Sequence, residues 1–331
     1  MQHHGYLAAL IVGSAALSAC GSGSSSTSQV TPPAGRSGNT GAEQVLTETA
    51  GTAAQALAEG AALRSSERTT AEIQRNYDAQ TAVASAAPTA TVTRNAAGGL
   101  TLQVPGQPEV VFTPEDLSED GYGFEKDGAG IWAWNNDGMA GQLDPTNSRD
   151  YHVFAYFVDT GDGTGREAFI VTGTETRAAA LAALPSATYS GNSRIRLAPT
   201  TGFVNFATAV SEVQGNLNMS ANFGSGTVFG SLTNLEGRPP RAEDPSQSWT
   251  AVDGALSLNE TAISGNGFTG AVTADSAFTT GIAAIDAGST YSGTFFGTAA
   301  DGVAGAINLS GTAADGDASI LGWGFFRGDK N

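Results

Sequence analysis

The sequence predicts a mainly β protein, and its composition and the pattern of its apolar residues carry that prediction. Glycine accounts for 44 of 331 residues and charged residues for only 14%, well below the usual share in globular proteins. Such a balance suits turn-rich β proteins better than helical bundles, whose exposed faces are normally rich in Lys and Glu. From residue 89 onward, short apolar runs alternate with glycine turns, which is typical of the strands of a sandwich or barrel.

The chain is strongly acidic, with 32 acidic against 15 basic residues and a formal net charge of −17. A body of this charge repels phosphate backbones, so we expect no nucleic-acid partner. The charge favours solubility, basic partners or cationic ligands.

The first residues have the pattern of an exported lipoprotein. Residues 6–19 are apolar or small, a run too short to cross a bilayer but suited to a signal peptide. The run ends in Leu17-Ser18-Ala19-Cys20, which resembles the lipobox of bacterial lipoproteins, although no Lys or Arg precedes it. We therefore predict a signal peptide over residues 1–19 and lipidation of Cys20, including palmitate. The alternative is a buried structural cysteine after an ordinary cleaved peptide.

A lipidated Cys20 would hold the protein in a membrane, because several acyl chains together give stable anchoring. Gly rather than Asp at position 21 resembles the sorting signal for the outer membrane of Gram-negative bacteria. Residues 20–41 are almost entirely Gly, Ser, Thr, Pro and small polar residues, which cannot bury enough apolar surface to fold. We expect a lipidated tether with a reach of roughly 25 Å.

Residues 42–87 have a different, Ala-rich character. Ala, Glu, Gln, Leu and Arg dominate and favour helix, but Gly51 and Gly60 interrupt a thin apolar stripe. This predicts two short helices or one marginal helix, either packed on the body or mobile.

Residues 88–182 predict a small β domain. A hairpin is expected over residues 89–104, and the run Tyr151–Val158 is aromatic and β-branched, as in a strand buried on much of both faces. Beyond Pro185, glycines recur between short apolar runs, and glycines inside strands mark the bulges and corners that a small closed barrel needs.

Five segments carry a family resemblance through their order and spacing: residues 183–191, 222–230, 268–270, 291–305 and 322–327. They contain, in turn, a Leu-Pro before Ala-Thr-Tyr-Ser-Gly, an Asn-Phe turn followed by a strand and Gly, Phe-Thr-Gly, a Gly-Thr-Phe-Phe-Gly with a later Ala-Gly, and Gly-Trp-Gly-Phe-Phe-Arg. Together they resemble the β-barrel domain of the transferrin-binding protein B family of surface lipoproteins.

The resemblance implies an eight-stranded antiparallel barrel over residues 183–331, with residues 88–182 in the place of the family's smaller handle-like sheet. It also implies a lipid-anchored protein facing the cell exterior, and many members of the family capture host iron or haem carriers. This chain has one barrel where the two-lobed transferrin receptors have two, and it lacks their Lys-rich strands.

The chemistry of an enzyme is not visible in the sequence. No Gly-x-Ser-x-Gly is present, and the only histidine after residue 19, His152, lies inside an apolar run, where a core position is expected. One histidine without a second cysteine cannot fill a zinc site. We predict no catalytic residues, no metal and no cofactor.

An acidic segment follows the apolar run. Asp159-Thr160-Gly161 resembles half of an aspartic-protease dyad, but no second copy appears, so a hairpin turn is expected. Asp159, Asp162 and Glu167 also offer oxygen ligands for calcium, although their spacing is not that of an EF-hand. A solvated acidic turn is the favoured interpretation.

The densest aromatic group includes Trp132 and Trp134, which strand alternation places on one face. They are our candidate ligand-binding residues, since aromatic side chains dominate binding hot spots; core packing is the alternative. The sequence thus predicts an outer-membrane surface lipoprotein that binds a partner, such as an iron or haem carrier protein. The alternative is a structural or protective envelope lipoprotein without a specific ligand, which would need no concave or aromatic surface.

Overall fold

The computed structural model describes residues 52–85, 89–134, 138–203, 209–240, 248–314, 316 and 318–331. They all belong to one compact unit, Gln44–Asn331. The predicted signal peptide, Cys20 and the tether lie outside the described residues. Within the described part of the chain, no helix is long and apolar enough to span a membrane.

The helices are short and the strands many. The α-helices are α1 (Ala53–Ala58), α2 (Gly138–Leu143), α3 (Ala178–Leu181) and α4 (Ser276–Gly281), and 3-10 turns lie at Glu67–Thr69 and Pro114–Asp116. The strands before the barrel are β1 (Ala62–Arg64), β2 (Thr70–Asn76), β3 (Thr81–Ala84), β4 (Thr91–Arg94), β5 (Leu100–Gln103), β6 (Val110–Val111), β7 (Gly123–Lys126), β8 (Ala129–Ala133), β9 (Tyr151–Asp159) and β10 (Thr164–Gly173).

These strands form two antiparallel sheets, which we together call the handle. One has the order β1-β4-β5-β6 and the other β3-β2-β10-β9-β8-β7. One face of the six-stranded sheet, including Phe154, Tyr156 and Ile170, shares a buried apolar cluster with Val92 and Leu102 of the four-stranded sheet. The handle is therefore a small sandwich.

The helical prediction for residues 42–87 is wrong over most of its described part. Among its described residues only α1 and the 3-10 turn at Glu67–Thr69 are helical. The helix α1 ends just before Gly60, whose φ of 80° is the left-handed conformation in which helices commonly end. Beyond it the chain forms β1, β2 and β3. Pairing of β2 with β10 overrides helix propensity, which is a weak preference beside tertiary packing. The handle thus begins at Ala62, well before residue 88.

A closed barrel follows the handle. Its region contains β11 (Ala187–Pro199), β12 (Ser211–Asn222), β13 (Thr227–Arg238), β14 (Thr250–Val252), β15 (Leu256–Ser264), β16 (Gly267–Ala274), β17 (Ala283–Ile285), β18 (Thr290–Phe296), β19 (Gly302–Ala313) and β20 (Ser319–Lys330). Eight strands form a ring in the order β12-β11-β20-β19-β18-β16-β15-β13, which closes because β13 pairs with β12. Short β14 and β17 pair outside this ring. The prediction of a mainly β chain with a sheet preceding an eight-stranded antiparallel barrel is confirmed.

The second face of the six-stranded sheet packs on the outside of the barrel. Val153, Ala155 and Phe169 of the handle share a buried cluster with Trp323 and Phe325 of β20. Residues 151–156 of β9 are accordingly buried on both faces, as their aromatic and β-branched character predicts. This apolar contact fixes the handle against one side of the barrel.

Candidate functional site

A groove of about 1140 Å³ lies between the handle and the outer face of the barrel. The handle side is formed by residues of β2 and of β7 to β10, and the barrel side by β11, β12, β13, β20 and Trp249. Trp132 and Trp134 both line the groove, so they share one face of the chain at β8, and both are half-buried. The structure therefore places Trp132 on a concave surface, whereas Trp134 both borders that surface and packs against the buried cluster between handle and barrel.

Strand alternation explains why charged residues face this groove. On β11, Tyr189, Ile195 and Leu197 point into the barrel core, so Arg194 and Arg196 project from the outer face. Both arginines line the groove. The outer face of the barrel is apolar where β20 meets the handle and charged where β11 and β12 border the groove.

Arginines and tryptophans stack in series along the barrel side. The guanidinium of Arg194 lies 4.5 Å from the ring centroid of Trp134 and 4.6 Å from that of Trp249, and Arg238 lies 4.7 Å from Trp249. We call Trp134–Arg194–Trp249–Arg238 the Arg–Trp ladder. Cation–π contacts of this kind contribute about 0.5–2 kcal/mol each, so they hold the flat groups in a fixed orientation.

Glu212 joins three of the arginines. Its carboxylate accepts hydrogen bonds from Arg194 Nη2 at 2.8 Å, from Arg196 Nε at 3.2 Å and from Arg238 Nε at 2.6 Å. Burial acts to raise the pKa of Glu212, but the three arginines outweigh it and hold the pKa at about 2. Glu212 is therefore ionised at neutral pH.

A second buried carboxylate, Glu167, comes from the handle. Arg196 Nη1 lies 2.5 Å from Glu167 Oε1, and Arg75 Nη1 lies 3.6 Å from Oε2. Arg196 thus bridges the barrel carboxylate Glu212 and the handle carboxylate Glu167. The Arg196–Glu167 ion pair links the two parts of the molecule across the floor of the groove.

Trp132 stands on the handle side against Phe157, with ring centroids 5.5 Å apart and an interplanar angle of 19°. Two glycines make room for it. A Cβ at Gly123 would lie 2.2 Å from Cδ1 of Trp132, and a Cβ at Gly130 would lie 2.5 Å from its Cη2. Any larger residue at either position would displace the indole.

Two carboxylates in one groove also raise the question of hydrolytic chemistry. Acid–base hydrolysis needs a carboxyl group that is protonated near neutral pH. The pKa of Glu212 is shifted in the opposite direction, and both carboxylates accept hydrogen bonds from arginines. The arrangement is suited to holding charge in place and not to transferring a proton.

The other chemical candidates have structural positions. His152 is buried, its Nδ1 contacts Gln142 Oε1, and burial lowers its pKa to about 4. Asp159 ends β9 and accepts a hydrogen bond from the Gly161 N–H in the turn to β10, as the hairpin interpretation predicts. Glu167 is engaged with the arginines, and no described His, Cys, Asp and Glu residues are grouped as a metal site.

Sequence reasoning missed the arginines and Trp249. Arg194 and Arg196 are separated by one residue on a strand of a strongly acidic chain, and this local signal places two positive charges on one face. Nothing local connects them to Glu212, Arg238 or Trp249. Strand pairing brings Glu212 and Arg238 close, and Trp249 directly precedes β14, which pairs with β13.

The barrel can be compared with known proteins. Residues 184–323 match the family model of the C-lobe and N-lobe β-barrels of Tf-binding protein B. The barrel is transferrin-binding protein B-like. The match covers nearly the same segment as β11 to β20, so the predicted resemblance is confirmed for this domain. No curated protein is significantly similar to the chain.

Solved structures of transferrin-binding protein B resemble the chain over a longer span. The isotype 1 protein of serogroup B Neisseria meningitidis is 14% identical, with a TM-score of 0.41 over 80% of this chain and 43% of its own. A single-site variant from Haemophilus parasuis Hp5 is 13% identical, with a TM-score of 0.42 over 80% of this chain and 45% of its own. The chain thus spans less than half the length of either protein.

Proposed function

We propose that this protein is a lipoprotein of the outer membrane, held at the cell surface by an acylated Cys20, and that it binds a partner through the groove between handle and barrel. The partner class is an iron or haem carrier protein. The observation that carries the binding role is the groove itself, which gathers half-buried tryptophans and arginines on a concave surface. These residue types dominate the energetically important positions of protein interfaces.

The groove favours this role over that of a structural or protective envelope lipoprotein. A purely structural protein has no need for a concave surface lined with Trp132, Trp134 and Trp249. Leaving aromatic rings half-exposed to water forgoes the stabilisation that full burial would provide. Surfaces that retain such rings in a concavity are generally recognition surfaces.

Direct binding measurements test the proposal. The full chain is immobilised, and transferrin and haemoglobin, as iron and haem carriers, are passed over it in separate experiments. We expect one carrier to bind, and Trp132→Ala and Trp134→Ala each to weaken the affinity by about 30-fold, which corresponds to a hot spot of about 2 kcal/mol.

Phe229→Ala serves as the matched control, because Phe229 is an exposed aromatic residue (48% accessible) on β13 that does not line the groove. It should leave the affinity unchanged. Failure of both carriers to bind would contradict the partner class. Binding that is insensitive to the tryptophan variants would contradict the groove as the site.

A further inference from the structure

The floor of the groove carries more positive than negative charge. Its inner residues are four arginines and two glutamates, namely Arg75, Arg194, Arg196, Arg238, Glu167 and Glu212. The arginine side chains are only 5–17% exposed and the glutamates 3–6%. Since arginine stays protonated in proteins, four cations face two carboxylates, which leaves a surplus of two positive charges. This surplus lies within a chain whose net charge is −17.

The acidic residues nearer the opening do not cancel this surplus at close range. Asp120, Glu125 and Glu236 also line the groove, but all three are exposed. Water and salt screen exposed charges far more strongly than partly buried ones. The floor of the groove is therefore locally cationic and its opening locally acidic. An anion interacts most favourably with the groove when it lies against the floor.

The arginines also have hydrogen-bonding capacity beyond that of the two glutamates. The Nε atoms of Arg75 and Arg194 are buried without a hydrogen-bond partner among the described residues, and Arg75 as a whole is 4% exposed. A guanidinium has about five N–H donors, against about four acceptor sites on a carboxylate. Buried donors left unpaired are costly, and an anion with several oxygens, such as a phosphate or carboxylate, is the group that satisfies them.

Flat aromatic surfaces lie beside this cationic floor. Trp132 with its stacked Phe157 forms the handle side, and Trp134 and Trp249 stand in the Arg–Trp ladder on the barrel side. Aromatic rings stack favourably on such surfaces. The volume of about 1140 Å³ slightly exceeds the usual range of ligand pockets, about 300–1,000 Å³, which leaves room for a fused ring system and a charged group.

From these observations we propose that the groove binds a planar aromatic ligand that carries two negative charges, with its anionic group on the arginines of the floor and its ring against Trp132. This inference rests on the proposed function in one respect, that the groove is the recognition site. It adds the chemical class of what enters the groove, and phosphate and carboxylate ligands share that chemistry.

Flavin mononucleotide and riboflavin form a matched pair of probes, because they share one planar ring and differ by a phosphate dianion. Each is titrated with the full chain, and binding is followed by quenching of flavin fluorescence and by calorimetry. We expect flavin mononucleotide to bind at least about tenfold more tightly than riboflavin. Naphthalene-2,6-dicarboxylate, a planar dianion without phosphate, should displace flavin mononucleotide if the site also takes carboxylates. If inorganic phosphate displaces flavin mononucleotide and the dicarboxylate does not, the site is restricted to phosphates.

Arginine variants locate the anionic contact. Arg194→Gln should reduce the affinity for flavin mononucleotide about tenfold and narrow its advantage over riboflavin. Arg238→Lys keeps the positive charge but loses the forked geometry of the guanidinium, so it should also weaken binding. This variant tests the anionic contact if Arg194→Gln does not fold. Arg64→Gln is the control, because Arg64 is exposed on β1 and does not line the groove.

The inference is overturned if riboflavin binds as tightly as flavin mononucleotide, or if none of the planar dianions binds at millimolar concentration. It is also overturned if Arg194→Gln and Arg238→Lys both leave the affinity unchanged. These outcomes are separate from failure of the proposed function. If a carrier protein binds through Trp132 but no planar dianion binds, only this inference is contradicted. If the dianion binds but neither carrier protein does, only the proposed class of protein partner is contradicted.

Discussion

Glu212 is the residue on which the charge balance of the groove depends. It is 5% exposed and lies opposite Arg238 in the pairing of β12 with β13 and opposite Arg196 in the pairing with β11. Burial alone would favour its neutral form, but the surrounding guanidiniums keep it charged. A carboxylate of this kind stabilises the folded state only while it is ionised.

Removing this charge should destabilise the protein. Because the pKa of Glu212 falls from 4.5 to about 2 on folding, its ionised form contributes roughly 3 kcal/mol at neutral pH. The contribution is present above about pH 4.5 and is lost as the pH falls toward 2. Glu212→Gln should therefore lower the free energy of unfolding by about this amount at pH 7 in urea titrations.

The exposed Glu236, which accepts a hydrogen bond from Gln214, provides the control for that measurement. Glu236→Gln should change the free energy of unfolding by less than about 0.5 kcal/mol. Equal stability of the Glu212→Gln variant and the unmodified protein at pH 7 would refute the role assigned to Glu212.

His152 should act in a higher pH window but in the same direction, so that it too lowers stability as the pH falls. Its pKa is lowered from 6.5 to about 4 by burial, so the unfolded chain takes up a proton between these values and the folded chain does not. Stability should fall by about 3 kcal/mol as the pH drops from 6.5 to 4. His152→Gln should flatten this part of the stability profile while leaving the Glu212 window below pH 4.5 in place. An unchanged slope would show that other groups cause it.

At the scale of single elements, the position of the Trp132 ring on β8 depends on glycine. Gly130 allows the ring of Trp132 to lie across the strand beside Phe157, and Gly123 allows the same on the neighbouring β7. The alternation of β8 is predictable from sequence, but the requirement for glycine is not. It arises because the indole of a residue two positions away covers the backbone.

Gly130→Ala should displace Trp132 from its position. The new Cβ would lie 2.5 Å from the indole, so the ring must move, at a cost of about 1–3 kcal/mol in stability. Partner binding should weaken about as much as in Trp132→Ala, and the tryptophan emission should shift. Gly281→Ala is the control, because a Cβ there meets no atom within 4 Å. Unchanged emission and unchanged affinity would contradict this account of the site.

The strands β1 to β3 show the limit of local reasoning about elements. Residues 62–84 have a composition that favours helix, yet β2 supplies Ala71 and Ile73 to the contact with the barrel and the buried Glu72 to Arg166. The long-range pairing with β10 that selects a strand here is not visible in a local window. The barrel strands were easier to predict, since alternation and glycine turns are local features.

At the scale of the whole molecule, the handle and barrel are held together by an apolar contact and by the Arg196–Glu167 ion pair of the groove floor. Trp134 packs edge-on against Phe169 at 5.4 Å and against Phe325 at 6.2 Å. The same side chain therefore belongs to the handle–barrel contact and to the Arg–Trp ladder. Trp134 would therefore serve both the proposed partner binding and the contact between handle and barrel, so variants of Trp134 should affect both.

The membrane anchor concerns the whole molecule as well. Cys20→Ser removes the sulfur that would be acylated in our proposal, and with it the apolar chains that would hold the protein in the bilayer. We expect the variant to lose acyl labelling and to move from the membrane fraction to the soluble fraction. Ser18→Ala, which keeps a small residue and Cys20, should remain membrane-bound. A Cys20→Ser protein that fractionates with the membrane would contradict the anchor.

By itself, the sequence determined the mainly β character, the turn at Asp159, the aromatic strand buried on both faces and the barrel beyond residue 183. Each follows from patterns within a few neighbouring residues. Only the tertiary structure decided that β1 to β3 belong to the handle and that Arg194, Glu212, Arg238 and Trp249 meet beside Trp134. Ion pairs and ring stacking depend on distances of a few ångströms across paired strands and packed sheets. Residues far apart in the chain reach those distances only when the barrel strands pair and the handle packs against the barrel.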